Sequence, residues 1–146
     1  VDAMKLYTIG YEGETQPAVI NRLKAVGVQV LADVRAVAAS RRAGFSKTVL
    51  AGSLNEADID YVHLRGVGTP KAGRDAARAG RTDEMRAIFA DHMAEPAFQL
   101  DFERLRELAA ARPTAILCFC GQAAGCHRRI LSDRLAREDG FEVVDL

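Results

Sequence analysis

The sequence predicts an α/β fold: a single three-layer domain with a mostly parallel sheet of about five strands and helices on both faces. Segments with strand character alternate with segments of helical periodicity, as in folds built from strand–helix–strand units. The strand segments are apolar nearly throughout, not at every second residue, which marks strands covered on both sides. The chain of 146 residues, 49% of them hydrophobic, is long enough to bury one sizeable core. The expected strand order is 3-2-1-4-5, or the flavodoxin-like 2-1-3-4-5.

Apolar and β-branched runs bounded by turn residues place strands near 5–9, 28–33, 60–64, 114–119 and 142–145. After the first strand, Thr15 is suited to cap a helix with Pro17 in its first turn. Ile20, Leu23 and Val26 then recur on one face, and Gly27 supplies a left-handed stop. Ser46 is the expected N-cap of the next helix, with Phe45 and Leu50 spaced as a hydrophobic staple and Leu54 continuing the face. Residues 65–81, rich in Gly, Lys and Arg and carrying Pro70, read as a long loop or partly ordered lid. Met85, Ile88, Phe89 and His92 follow helical spacing, and after Pro96 so do Phe98, Phe102, Leu105 and Leu108. A last helix starts near Cys126, uses Ile130, Leu131 and Leu135, and ends before Gly140. The domain is expected to span 4–146, with Val1 to Ala3 read as a tag remnant because they precede a methionine.

Twenty basic and twenty acidic side chains give a formal net charge of zero, so no overall pull toward nucleic acid or membrane is expected and any basic function must be local. Cys118, Cys120 and Cys126 lie in one short stretch and cannot staple distant parts of the chain, which fits a reducing cytoplasm. No signal-peptide pattern or apolar run of spanning length appears.

Right-handed crossovers in a parallel sheet bring the loops that follow the strands to one edge, where ligands bind. There the sequence supplies Gly10, Tyr11 and Glu12, then Asp33 and Arg35, then His63, and finally Cys118 and Cys120 followed by the loop Gly121-Gln122-Ala123-Ala124-Gly125 and Cys126-His127-Arg128-Arg129. Gly10 permits close approach to a ligand or simply makes a turn. Two arginines in the first turn of a helix oppose its dipole, so an incoming anion is the expected source of negative charge; the plainer alternative is that Arg128 and Arg129 pair with Asp133 or Glu138. Arg35, Arg41, Arg42 and Lys47 concentrate further positive charge on the same edge, suited to phosphate, although Arg35 could instead be held by Asp33 or Glu12 as an ion pair.

Cys126 beside His127 is open to three readings. It is a thiolate nucleophile or redox centre, a packed small side chain, or part of a metal site with Cys118, Cys120 and His127. The absence of C-x-x-C pairs argues against metal, and no metal or cofactor is expected. Glu12 and Asp33 are the candidate general bases.

Taken together, Thr8-Ile9-Gly10-Tyr11, Asp33-Val34-Arg35, Ser40-Arg41-Arg42 with Phe45-Ser46-Lys47, Tyr61-Val62-His63-Leu64 with Gly66 and Gly68, and Cys118 spaced from Cys126-His127-Arg128 resemble the domain of unknown function 488 (DUF488) family of bacteria and archaea. The resemblance implies a compact α/β domain whose motifs gather around one pocket. Members often carry an acidic residue where this chain has Cys120. The resemblance implies no activity; the cationic residues at the strand ends point to an enzyme on a small phosphorylated or nucleotide-like anion. The catalytic candidates are Glu12, Asp33, Cys126 and His127, and Gly10, Tyr11, Arg35, Arg41, Lys47, His63, Cys118 and Arg128 are the candidates to bind substrate. The alternatives are thiol-based sulfur transfer or redox chemistry by Cys120 and Cys126, and a non-catalytic module that binds nucleotide or nucleic acid.

Overall fold

The computed structural model describes residues 4–120 and 126–146. The expected tag remnant at 1–3 and the loop at 121–125 lie outside the described residues. Five strands, β1 (Lys5–Gly10), β2 (Val30–Asp33), β3 (Asp60–His63), β4 (Thr114–Cys118) and β5 (Glu142–Asp145), alternate with helices α1 (Gln16–Ala25), α2 (Lys47–Glu56), α3 (Lys71–Arg78), α4 (Thr82–Met93), α5 (Pro96–Ala111) and α6 (His127–Asp139). All strand pairings are parallel, as expected of an α/β sheet with apolar strands.

The strand order is β3-β2-β4-β1-β5, which is neither of the two expected orders. β4 enters between β1 and β2. Its burial explains the position: every residue of β4 is buried, while β3 and β5 each carry exposed residues and take the edges. Apolar character thus separates inner strands from edge strands, but β1, β2 and β4 are all almost wholly buried and their mutual order is left to long-range packing.

Two cores flank the sheet. On one face Val19 and Leu23 of α1 and Leu50 and Leu54 of α2 pack with Ile9, Leu31, Ala115 and Leu117. On the other, Phe89, Phe98, Phe102, Leu131 and Leu135 from α4, α5 and α6 pack with Leu6, Ala32, Ile116 and Cys118. The chain leaves β1 and β2 for the first face and β4 for the second, so neighbouring strands diverge just where Gly10 stands opposite Cys118 in register. Among the described residues no helix is long and apolar enough to cross a membrane.

The local signals read well. Thr15 accepts from the Ala18 amide at 3.3 Å as the N-cap of α1, and Gly27 has φ +77°. Ser46 stands at the N-cap of α2, but its hydroxyl turns to Ser40 at 3.0 Å and makes no cap bond. The 65–81 segment differs from expectation. A 3-10 turn at Arg65–Val67 is followed by α3, with Pro70 at its N-cap, so the proline starts a helix and does not punctuate a loop.

Candidate functional site

Asp33, the last residue of β2, is fully buried and surrounded by donors. Its Oδ1 accepts from the Arg35 amide at 3.1 Å and from Arg35 Nε at 2.8 Å; its Oδ2 accepts from Arg35 Nη2 at 2.6 Å and from the Tyr61 hydroxyl. Arg35 Nη1 donates to the Tyr11 hydroxyl at 3.0 Å and to the Phe45 carbonyl at 2.7 Å. Burial works against the Arg35 charge, but the bonds and attraction of Asp33 outweigh it and push its pKa above the ordinary arginine value. This is a structural ion pair. Asp33 cannot take a substrate proton without dismantling it, which argues against one of the two expected general bases.

The three cysteines meet at the end of β4, where their sulfurs all lie within 4.8 Å of one another. Cys118 Sγ is 2.9 Å from Cys126 Sγ, and both residues are buried, whereas Cys120 is only half-buried. The Arg128 side chain, 1% exposed, lies behind the cluster and donates through Nη1 to the Cys120 carbonyl at 2.9 Å and to Cys118 Sγ at 3.4 Å. His127 Nε2 faces the Val34 carbonyl at 2.8 Å, so that nitrogen carries the proton. Its Nδ1 lone pair is left toward Cys126 Sγ at 3.6 Å. Burial pushes the His127 pKa down, which keeps the ring neutral.

Three sulfurs this close titrate as a group. Hydrogen bonds from Cys118 and then Cys126 hold Cys120 far below the ordinary thiol range, with the Arg128 charge adding to them against the cost of burial. Cys118 is pushed up, first by its bond to Cys120 and then by its bond to Cys126. Cys126 is pushed up to about 12: its bond with Cys118 works the other way, but the bond with Cys120 and burial together exceed it. The half-buried Cys120 thus stands beside two buried cysteines and a buried guanidinium, an arrangement that favours negative charge on Cys120 over its neighbours. By spacing, three sulfurs could also hold a thiophilic cation. Without a fourth donor among the described residues the set is short of a closed zinc site, and Arg128 already neutralises the charge.

Cys118, Cys120, Cys126 and His127 form one wall of a cleft of about 860 Å³ at the C-terminal edge of the sheet. Arg35, Arg41, Arg42, Arg74 and Arg78 also line it, and no aspartate or glutamate does so among the described residues. The adjoining segment 121–125 contains no acidic residue either. Arg42 donates to the Glu14 carbonyl, Arg74 to the Thr69 carbonyl at 2.8 Å, and Arg78 pairs with Asp75 at 3.2 Å on the surface. Phe119, 50% exposed, and Tyr11 meet edge to face at the cleft.

The structure brings together Tyr11, Arg35, Arg41, Cys118, Cys126 and His127 from the expected set. Arg128 adjoins the sulfurs but does not line the cleft, so its charge serves the cysteines and not a ligand in the cleft. Gly10 approaches the chain's own backbone: a β-carbon there would overlap the Cys120 carbonyl oxygen and stand 2.6 Å from Arg128 Nη1. Glu12, Lys47 and His63 stand outside the lining. His63 instead holds the Arg35 carbonyl at 2.7 Å, and the Glu12 amide donates to the Phe119 carbonyl at 2.8 Å. Arg129 takes the plain reading, paired with Asp133 at 3.1 Å and Asp145 at 3.4 Å.

Arg74 and Arg78 were missed because their segment read as a loop. Their i, i+4 spacing with Ala76 between them is a helical signal that the glycines and Pro70 masked. Because Gly10 serves packing, Gly10→Ala is expected to cost about 1–3 kcal/mol by overpacking. Urea denaturation checks it, and an unchanged midpoint would show that the loop after β4 yields without strain.

No curated protein and no solved structure matches the chain. The model of one protein family does, over residues 15–135, which take in every cleft arginine and all three cysteines. That match covers most of the sequence, and the chain belongs to the family described as domain of unknown function DUF488.

Proposed function

We propose that the protein is an enzyme that binds a small anionic substrate in the arginine cleft and reacts with it through a cysteine thiolate. One observation carries this reading: a chain of zero net charge lines this cleft, among its described residues, with five arginines and no carboxylate. Forked guanidinium groups recognise phosphate, phosphorylated or nucleotide-like molecules and other tetrahedral oxyanions, and a cleft of one sign concentrates such substrates. The reacting group follows by elimination. With Asp33 locked to Arg35 and Glu12 outside the lining, neither expected base is placed to activate the Ser40 and Thr69 hydroxyls that also line the cleft, which leaves the cysteines as the nucleophiles that need no base. A cytoplasmic setting goes with this reading, since free thiols persist in reducing compartments.

Calorimetric titration with phosphate and with a nucleoside diphosphate tests it. Arg41 has no ion-pair or hydrogen-bond partner among the described residues, so its guanidinium is available to a ligand. Arg41→Ala is expected to weaken binding about tenfold, the worth of one charge-assisted hydrogen bond. Equal affinity in wild type and in the Arg41→Ala/Arg78→Ala double variant would sink the reading.

A further inference from the structure

The composition of the cleft also restricts what can leave it. When a thiolate displaces an alkoxide from phosphorus or carbon, the departing oxygen needs an acid to protonate it. Among the described residues no carboxyl group lines the cleft, and 121–125 contains none. The His127 Nε2 proton is turned to the Val34 carbonyl, while the Tyr11 hydroxyl accepts from Arg35 Nη1 and keeps its own proton. With neither a carboxylic acid nor an imidazolium at hand, the reaction that fits best has a leaving group that departs as a stable anion and is bound by guanidinium groups after it departs. A sulfur oxyanion meets both conditions.

We infer that Cys120 accepts a sulfane sulfur from a donor whose leaving group is a sulfur oxyanion, thiosulfate being the simplest, and holds that sulfur as a persulfide in the cleft. The inference rests on the anionic-substrate reading above and adds the class of substrate. The Cys120 thiolate attacks the terminal sulfur of thiosulfate. A bond forms between that sulfur and Cys120 Sγ, the S–S bond of thiosulfate breaks, and its electron pair leaves on sulfite. A thiolate and a thiosulfate dianion enter; a persulfide anion and a sulfite dianion result. Charge is conserved, and no proton, oxidant or reductant is consumed.

Each part of the cluster has a use in this step. Cys120 is the cysteine of the three that is not fully buried, so a donor in the cleft can reach it. Cys118 and Cys126, with sulfurs inside the same 4.8 Å cluster, are the hydrogen-bond donors to the Cys120 sulfur before transfer. Arg128 is the fixed countercharge, 3.4 Å from Cys118 Sγ. The cleft arginines hold the sulfonate end of the donor and then sulfite.

The test incubates the reduced full-length protein with thiosulfate, measures released sulfite, and locates added mass by peptide mass spectrometry after alkylation. Sulfite and phosphate are titrated in parallel by calorimetry. The expected result is one added sulfur atom on the Cys120 peptide with one equivalent of sulfite released. Both are lost in Cys120→Ser, while Cys126→Ser keeps the adduct on Cys120; circular dichroism confirms that the variants fold. If sulfite and phosphate bind but no sulfur is added to Cys120, the inference is overturned and the anionic-substrate reading stands. If neither anion binds and no sulfur is added, both fail. Stoichiometric zinc that must be chelated before the thiols react would also overturn it.

Discussion

Asp33→Asn is expected to destabilise the protein by about 3–5 kcal/mol, because it leaves the buried Arg35 guanidinium without its countercharge. Asp33 is 0% and Arg35 6% exposed, so solvent cannot take over the charge. Asparagine keeps the shape and one acceptor oxygen, so the loss reports charge and pairing, not a cavity. The double variant Asp33→Asn/Arg35→Met should recover part of it, since a buried pair replaced by apolar or neutral groups often costs less than a broken one. Chemical denaturation of the single and double variants measures both. A loss below about 1 kcal/mol would return Asp33 to the candidates for catalysis, where carboxylates are replaceable without loss of fold.

Tyr61 adds a pH dependence to the same network. Burial, and then its bond to Asp33, push its pKa above the ordinary tyrosine value. A raised acid contributes stability that is fully present below its unfolded pKa of about 10 and is lost as pH rises through the folded value. Wild type should therefore lose more stability at strongly alkaline pH than Tyr61→Phe does.

The fold was legible wherever short-range chemistry decides it. Thr15, Pro17 and Gly27 bound α1 through bonds within a few residues of themselves, and all five strands announce themselves by apolar runs. Strand order was not legible, because β1, β2 and β4 are similarly apolar and differ only in what packs on them from distant helices. The site divides along the same line. Its location at the strand ends followed from topology, and its cysteines, His127 and Arg41 were in view. Roles that depend on who faces whom were not. Arg128 serves buried sulfurs, Asp33 is spent on Arg35, and Gly10 makes room for the Cys120 carbonyl. The weight placed on Cys126 moves to Cys120 for a geometric reason: both line the cleft, but Cys126 is 5% exposed while Cys120 is only half-buried and open to a ligand.

That shift yields the largest expected effect in solution. Alkylation of Cys120 is expected to proceed at nearly the same rate at about pH 5 as at about pH 8, whereas a free thiol of pKa about 8.5 slows roughly a thousandfold over that interval. The sign follows from which form reacts. The thiolate is the nucleophile, and a depressed pKa keeps it present at every pH above that value. The height of the profile is not the signature, because nucleophilicity falls with pKa and Cys120 need not outpace a free thiol at about pH 8. Flatness is. Cys118→Ala removes the hydrogen bond that contributes most to the depression, so the Cys120 rate near pH 5 should drop at least tenfold while the rate near pH 8 changes little. Arg128→Met, which removes a smaller electrostatic contribution, should move the profile in the same direction by less. Peptide mass spectrometry assigns each rate to its own cysteine, with Cys118 and Cys126 expected to lag because burial and their bonds hold them protonated. A wild-type profile that climbs like a free thiol, or one that Cys118→Ala leaves flat, would mean that the three sulfurs do not titrate as a group as their positions imply.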